Sequence, residues 1–96
     1  MEVRAIPVDA ITETVRRLCI EANTVLGGDA VAALEAALAA EESPTGRDIL
    51  RQLLRNAEIA RTEGIPLCQD TGMVVVFLDI GQDVHLTGGD LETAVN

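Results

Sequence analysis

The sequence predicts an α+β fold, and three observations carry that prediction. Through the first two thirds of the 96 residues, apolar side chains recur at helical spacing. Met73 to Ile80 is then a nearly unbroken apolar, β-branched run. Val84-His85-Leu86 follows as a short alternating stretch after a Gly81-Gln82-Asp83 turn. The expected architecture is an N-terminal helical layer of three helices, a β-hairpin and the start of a further helix. Residues 1–64 form the helical part of this single domain, and residues 65–96 form a loop and the hairpin.

The first helix is expected from an Asp9 cap to about Leu26. Ile11, Val15, Leu18, Cys19 and Ala22 make one apolar stripe. Glu13 and Arg17, then Arg17 and Glu21, are i,i+4 pairs on another face. Gly27-Gly28 ends the helix. Asp29 is the expected cap of the second helix, whose stripe is Val31, Leu34 and Leu38 in a bed of alanines. Those alanines favour helix and allow close helix–helix approach. Ser43-Pro44 stops that helix.

The third helix is expected from Thr45, with Asp48 at the capping-box position. Ile49, Leu50, Leu53, Leu54, Ala57 and Ala60 form its apolar side. Gly64 suits the position just past its end. Ile65 to Gly72 has no period and reads as an ordered loop. Met73 to Ile80 reads as a strand buried on both faces, paired with Val84 to Leu86. Asp90 is the expected cap of a fourth helix. The chain stops soon after that cap, at Asn96, so it is expected to be the N-terminal part of a longer protein.

Composition excludes several classes. Asp and Glu number 16 against 7 basic residues, all of them arginine, for a net charge of −9. With Phe77 as the only aromatic, neither a basic patch nor stacked bases can recruit nucleic acid. Anionic lipid is repelled for the same reason. The longest apolar stretch is far below the roughly 20 residues that span a bilayer, and the N-terminus has no signal-peptide pattern. A cytoplasmic location is expected, with Cys19 and Cys68 as thiols or metal ligands.

The densest polar cluster is Cys68-Gln69-Asp70-Thr71-Gly72. Cysteine offers a thiolate to soft metals or iron–sulfur clusters. Glutamine both donates and accepts, and aspartate can act as a base or an orienting acceptor. Glycine lets the backbone turn tightly. The same residue types also describe a buried cysteine beside an ordinary Asp-Thr-Gly turn.

Ile65-Pro66-Leu67-Cys68-Gln69-Asp70-Thr71-Gly72, the apolar run after it, Gly81 and Leu86-Thr87-Gly88-Gly89 together resemble the N-terminal region of the iron–sulfur-type (class I) fumarate hydratases. The related tartrate dehydratase α subunits share the pattern. Thr45-Gly46-Arg47, Ile49-Leu50 and Asn56-Ala57 agree with it less distinctively. The resemblance implies that Cys68 ligates a [4Fe–4S] cluster. It implies that Gln69, Asp70 and Thr71 line the substrate site, where Asp70 helps to bind or deprotonate a dicarboxylate.

The resemblance further implies an open iron acting as a Lewis acid on the substrate hydroxyl. Such a cluster needs more thiolates than Cys68 provides, and Cys19 reads as core. The remaining cluster ligands and most carboxylate-binding cations are therefore expected outside this chain. The expected partners are the remainder of the α chain, a β domain or subunit, and a dicarboxylate substrate, in a homo-oligomer. The 96 residues are expected to be inactive alone.

His85 reads as a solvated strand histidine rather than a proton carrier. Arg47, Arg51 and Arg55 read as a solvated like-charge ladder relieved by Asp48 and Glu58, with a docking face for another part of the protein or for an acidic partner as the alternative. Asp70-Thr71-Gly72 is also the aspartic protease triplet, but the preceding helices argue against that all-β class. A non-catalytic helical interaction module with an inert Cys68 is the remaining rival.

Overall fold

The computed structural model describes residues 2–68 and 72–96. In chain order the elements are β1 (Arg4–Pro7), α1 (Val8–Thr24), α2 (Gly28–Ala40), α3 (Pro44–Glu63), β2 (Val84–Thr87) and α4 (Leu91–Val95). The fold is α+β, with the long helices in the N-terminal part as expected. Its residues form two compact units, Met1–Cys19 with Gly72–Asn96, and Ile20–Thr71. No helix among the described residues is long and apolar enough to cross a membrane.

In the Ile20–Thr71 unit, α2 and α3 pack against each other. The short alanine side chains of α2 suit that approach, and on α3 Ala57 and Ala60 are buried. Chain chemistry sets the helix ends. Gly27 occupies the cap position of α2, while Asp29 lies inside the first turn and accepts from the Ala30 N–H at 2.8 Å. The expected Asp29 cap therefore moves to Gly27, and Asp29 sits in the first turn, where a carboxylate meets the positive end of the helix dipole.

α2 ends at Ala40 with Glu41 as its cap, three residues before the expected Ser43-Pro44 stop, and Ser43-Pro44 instead starts α3. The Ser43 hydroxyl accepts from the Gly46 N–H at 3.3 Å, and Pro44 takes the first helical position. The start thus falls one residue before the expected Thr45. Arg47 closes the corner between α2 and α3. Its guanidinium donates to the carbonyls of Leu38 (3.1 Å) and Glu41 (3.2 Å), which lack helical partners at the end of α2. At the far end of α3, Gly64 adopts the left-handed conformation (φ 67°) and donates to the Ala60 carbonyl.

In the other unit, β1 and β2 pair in parallel, with Arg4 opposite Val84 and Pro7 opposite Thr87. This corrects the expected hairpin: Val84–Thr87 is a strand, but its partner is Arg4–Pro7. Met73–Ile80 lies in neither a helix nor a strand. The sequence hides β1 because four residues ending in proline show no usable alternation, and a proline is tolerated at a strand end on an open edge.

Gly81-Gln82-Asp83 forms the expected turn. The Val84 N–H donates to the Gly81 carbonyl (3.2 Å), and the Arg4 N–H reaches the Asp83 carbonyl (2.8 Å). Val8, at the start of α1, is buried. A Cβ on Gly89 would come within 3.2 Å of the Val8 side chain, so glycine lets this loop lie close. Asp90 caps α4 as expected, accepting from the Thr93 N–H at 3.1 Å. The Thr12 hydroxyl ties α1 to α4 by donating to the Ala94 carbonyl at 2.7 Å.

Candidate functional site

Cys68 sits in the short loop that leaves α3. Gly64 reverses the chain out of the helix, and Ile65-Pro66 continue it without regular structure. Two successive backbone amides are then pinned. The Leu67 N–H donates to the Asn23 carbonyl at the end of α1 (2.7 Å). The Cys68 N–H donates to the Asn56 side-chain carbonyl on α3 (3.0 Å). Asn56 is half-buried, and one turn further on Ala60 is fully buried. The scaffold therefore fixes the backbone of Cys68 while the residue stays exposed. That suits a ligand position on a loop held by rigid elements.

Gln69, Asp70 and Thr71 lie outside the described residues. Cys19 is half-buried on α1, on the side shared with Ile11 and Val15, as the stripe predicts. Leu18 and Ala22 of that stripe are exposed. His85 is on the exposed side of β2, between half-buried Val84 and Leu86, as the alternation predicts.

The arginine ladder is divided among tasks. Arg47 caps α2, and Arg55 pairs with Glu58 at 3.2 Å. Arg51 and Arg55 line a groove of about 460 Å³ with Leu26, Val31, Leu54 and Ala57. Away from this loop, the Glu13 carboxyl is held below its usual value by a hydrogen bond and charge attraction from Arg16, which is raised in turn.

Among the described residues, no three His, Cys, Asp or Glu side chains come together to hold a metal ion. The fit to an iron–sulfur cluster is therefore to one position of it. Cys68 presents one accessible thiol on a fixed backbone, and the other ligands would have to come from elsewhere. Asn56 and Asn23 are the positioning groups that the sequence reading missed. An asparagine within an amphipathic helix looks like any polar surface residue, and no local pattern links Asn56 to an amide 12 positions away.

The family model for fumarate hydratase matches residues 12–96, a span that includes the Cys68 loop and the apolar run after it. The chain belongs to the fumarate hydratase family. Similar proteins include a putative L(+)-tartrate dehydratase subunit alpha of Methanocaldococcus jannaschii, 39% identical over 75 residues. That match covers 78% of this chain and 26% of the relative.

The anaerobic class I fumarate hydratase of Escherichia coli K12 is 43% identical over 53 residues, 55% of this chain and 10% of the relative. The aerobic class I enzyme of the same strain is 40% identical over 50 residues, 52% of this chain and 9% of the relative. No solved structure matches the chain. This fumarate hydratase family chain thus spans about a quarter of the α-subunit relative and about a tenth of the fumarate hydratases.

Proposed function

We propose that this chain is the part of a hydro-lyase that interconverts fumarate and malate, and that Cys68 is one ligand of its [4Fe–4S] cluster. Gln69, Asp70 and Thr71 contact the dicarboxylate. The observation that carries this reading is the family match across residues 12–96, which contains an exposed Cys68 with a pinned amide. When bound, the cluster supplies Lewis acidity toward the substrate hydroxyl.

The chain's own residues act around that chemistry. Asp70 takes the proton from the carbon next to a carboxylate, the C–O bond on the neighbouring carbon breaks, and the double bond forms. Proton and hydroxide together account for the water released. Gln69 and Thr71 orient the substrate through hydrogen bonds. A carboxylate base repels a dianionic substrate unless cations compensate, so the carboxylate-binding cations come from the remainder of the α chain and a β domain or subunit.

The test combines this chain with the part of the Methanocaldococcus α subunit outside its matched residues and with a β subunit, under anaerobic iron–sulfide reconstitution. Fumarate hydration and visible iron–sulfur absorbance are expected with the native chain. Cys68→Ser should lose both, and Asp70→Asn should keep the absorbance while losing turnover. Absorbance and turnover unchanged by Cys68→Ser would sink the reading. The chain alone should show no turnover. Tartrate is the second substrate to assay, since the relative matched over 78% of the chain is named for tartrate dehydration.

A further inference from the structure

Met73–Ile80 is the largest exposed apolar feature among the described residues. Met73 is 87% exposed, Val75 63% and Phe77 93%. From Val75 to Leu78 exposure alternates, with Val76 at 42% and Leu78 at 45%, and Ile80 is at 46%. A period of two belongs to an extended chain with one side turned inward. Within the same unit, Leu78, Asp79 and Ile80 line a cleft of about 260 Å³ with Ile6 of β1 and Val84 and Leu86 of β2. The end of the run therefore already has a surface to face, while Met73, Val75 and Phe77 do not line it.

The backbone repeats the pattern. Among the described residues, none of the amides or carbonyls of residues 73–80 takes part in a hydrogen bond. Strong β formers with an unpaired backbone and an apolar outer face make a strand that lacks its neighbour. A two-stranded parallel sheet such as β1–β2 is also marginal alone, because parallel sheets are normally covered on both faces.

We infer that Met73–Ile80 is a sheet strand whose pairing strand and outer apolar cover, over Met73, Val75 and Phe77, come from the rest of a longer α-subunit polypeptide. The inference rests on the proposed reading of the chain as one part of a larger hydro-lyase. The α-subunit relative is nearly four times the length of the segment matched here, so ample polypeptide exists to supply the strand. Only one charge, Asp79, interrupts the run, and a strand partner with apolar alternation fits it by the usual logic of strand addition.

The test is amide hydrogen exchange on the full chain, alone and after co-expression with the part of the Methanocaldococcus α subunit outside its matched residues. Exchange at residues 74–80 is expected to slow by about ten-fold or more in the complex. Phe77→Asp should abolish co-purification, and Phe77→Leu should preserve it. Failure of the native chain to co-purify, or a complex in which the 74–80 amides exchange as fast as in the chain alone, overturns the inference. Turnover without protection of these amides would remove this inference and keep the proposed function. Protection without turnover would do the reverse.

Discussion

At the residue scale, placement of the candidate ligand depends on Asn56. Its side-chain carbonyl holds the Cys68 amide, and no local signal in the sequence joins the two. Asn56→Ala is predicted to cost about 1 kcal/mol, the net worth of one such bond. It should also speed amide exchange at Cys68 while leaving α3 helical by circular dichroism. Gly64→Ala is predicted to cost about 1 kcal/mol, because a Cβ is strained at φ 67°. Chemical unfolding of the variant would check it.

Among the described residues, Glu13 and Arg16 give a pH effect. The lowered carboxyl value means that this pair's stabilisation is present above the unfolded pKa of glutamate and is lost as pH falls through the folded one. Both side chains are well exposed, so the effect is small and screened by salt. Melting points of native chain and Glu13→Gln, compared in low and high salt, should converge in high salt.

At the element scale, helix boundaries follow from local chemistry, but α1 runs from Val8 to Thr24 rather than from an Asp9 cap to Leu26, and Asp9 and Asp29 lie inside first turns rather than at caps. Gly64 and Asp90 hold the end positions assigned from sequence. Ser43 caps the start of α3. Ser43→Ala is predicted to destabilise by about 1 kcal/mol, in the usual range for a lost helix cap.

Arg47 shows where the sequence reading stopped short. It reads as one rung of a charged ladder, yet it satisfies two carbonyls at the end of α2. Arg47→Gln should therefore destabilise more than Arg51→Gln, which removes no hydrogen bond seen among the described residues. Thermal unfolding of the two variants would rank them. Strand β1 was missed for a different reason: its pairing is with residues about 80 positions away, and pairing at that distance leaves no local periodic trace.

At the scale of the whole molecule, the buried apolar residues among those described are Val8, Ala57 and Ala60. So few and such small side chains bury little apolar area, and little stability follows. The isolated chain should accordingly unfold with a broad transition and bind a hydrophobic dye at the Met73–Ile80 surface. Phe77→Asp should lower that dye signal. A sharp, highly cooperative melt without dye binding would contradict this account.

The approximate helix positions, the Gly64 and Asp90 ends, the turn before β2 and the Cys68 motif were present in the sequence. Each arises among residues within a turn or two of one another, where spacing and side-chain type suffice. The parallel pairing of β1 with β2, the hold of Asn56 and Asn23 on the Cys68 loop and the capping role of Arg47 depended on the folded chain. They join groups that come together only after the backbone has doubled back, and their energy lies in the contact rather than in any local preference. Met73–Ile80 marks the division most clearly: its composition is that of a buried strand, but burial requires a neighbour, and the described fold leaves its outer face open.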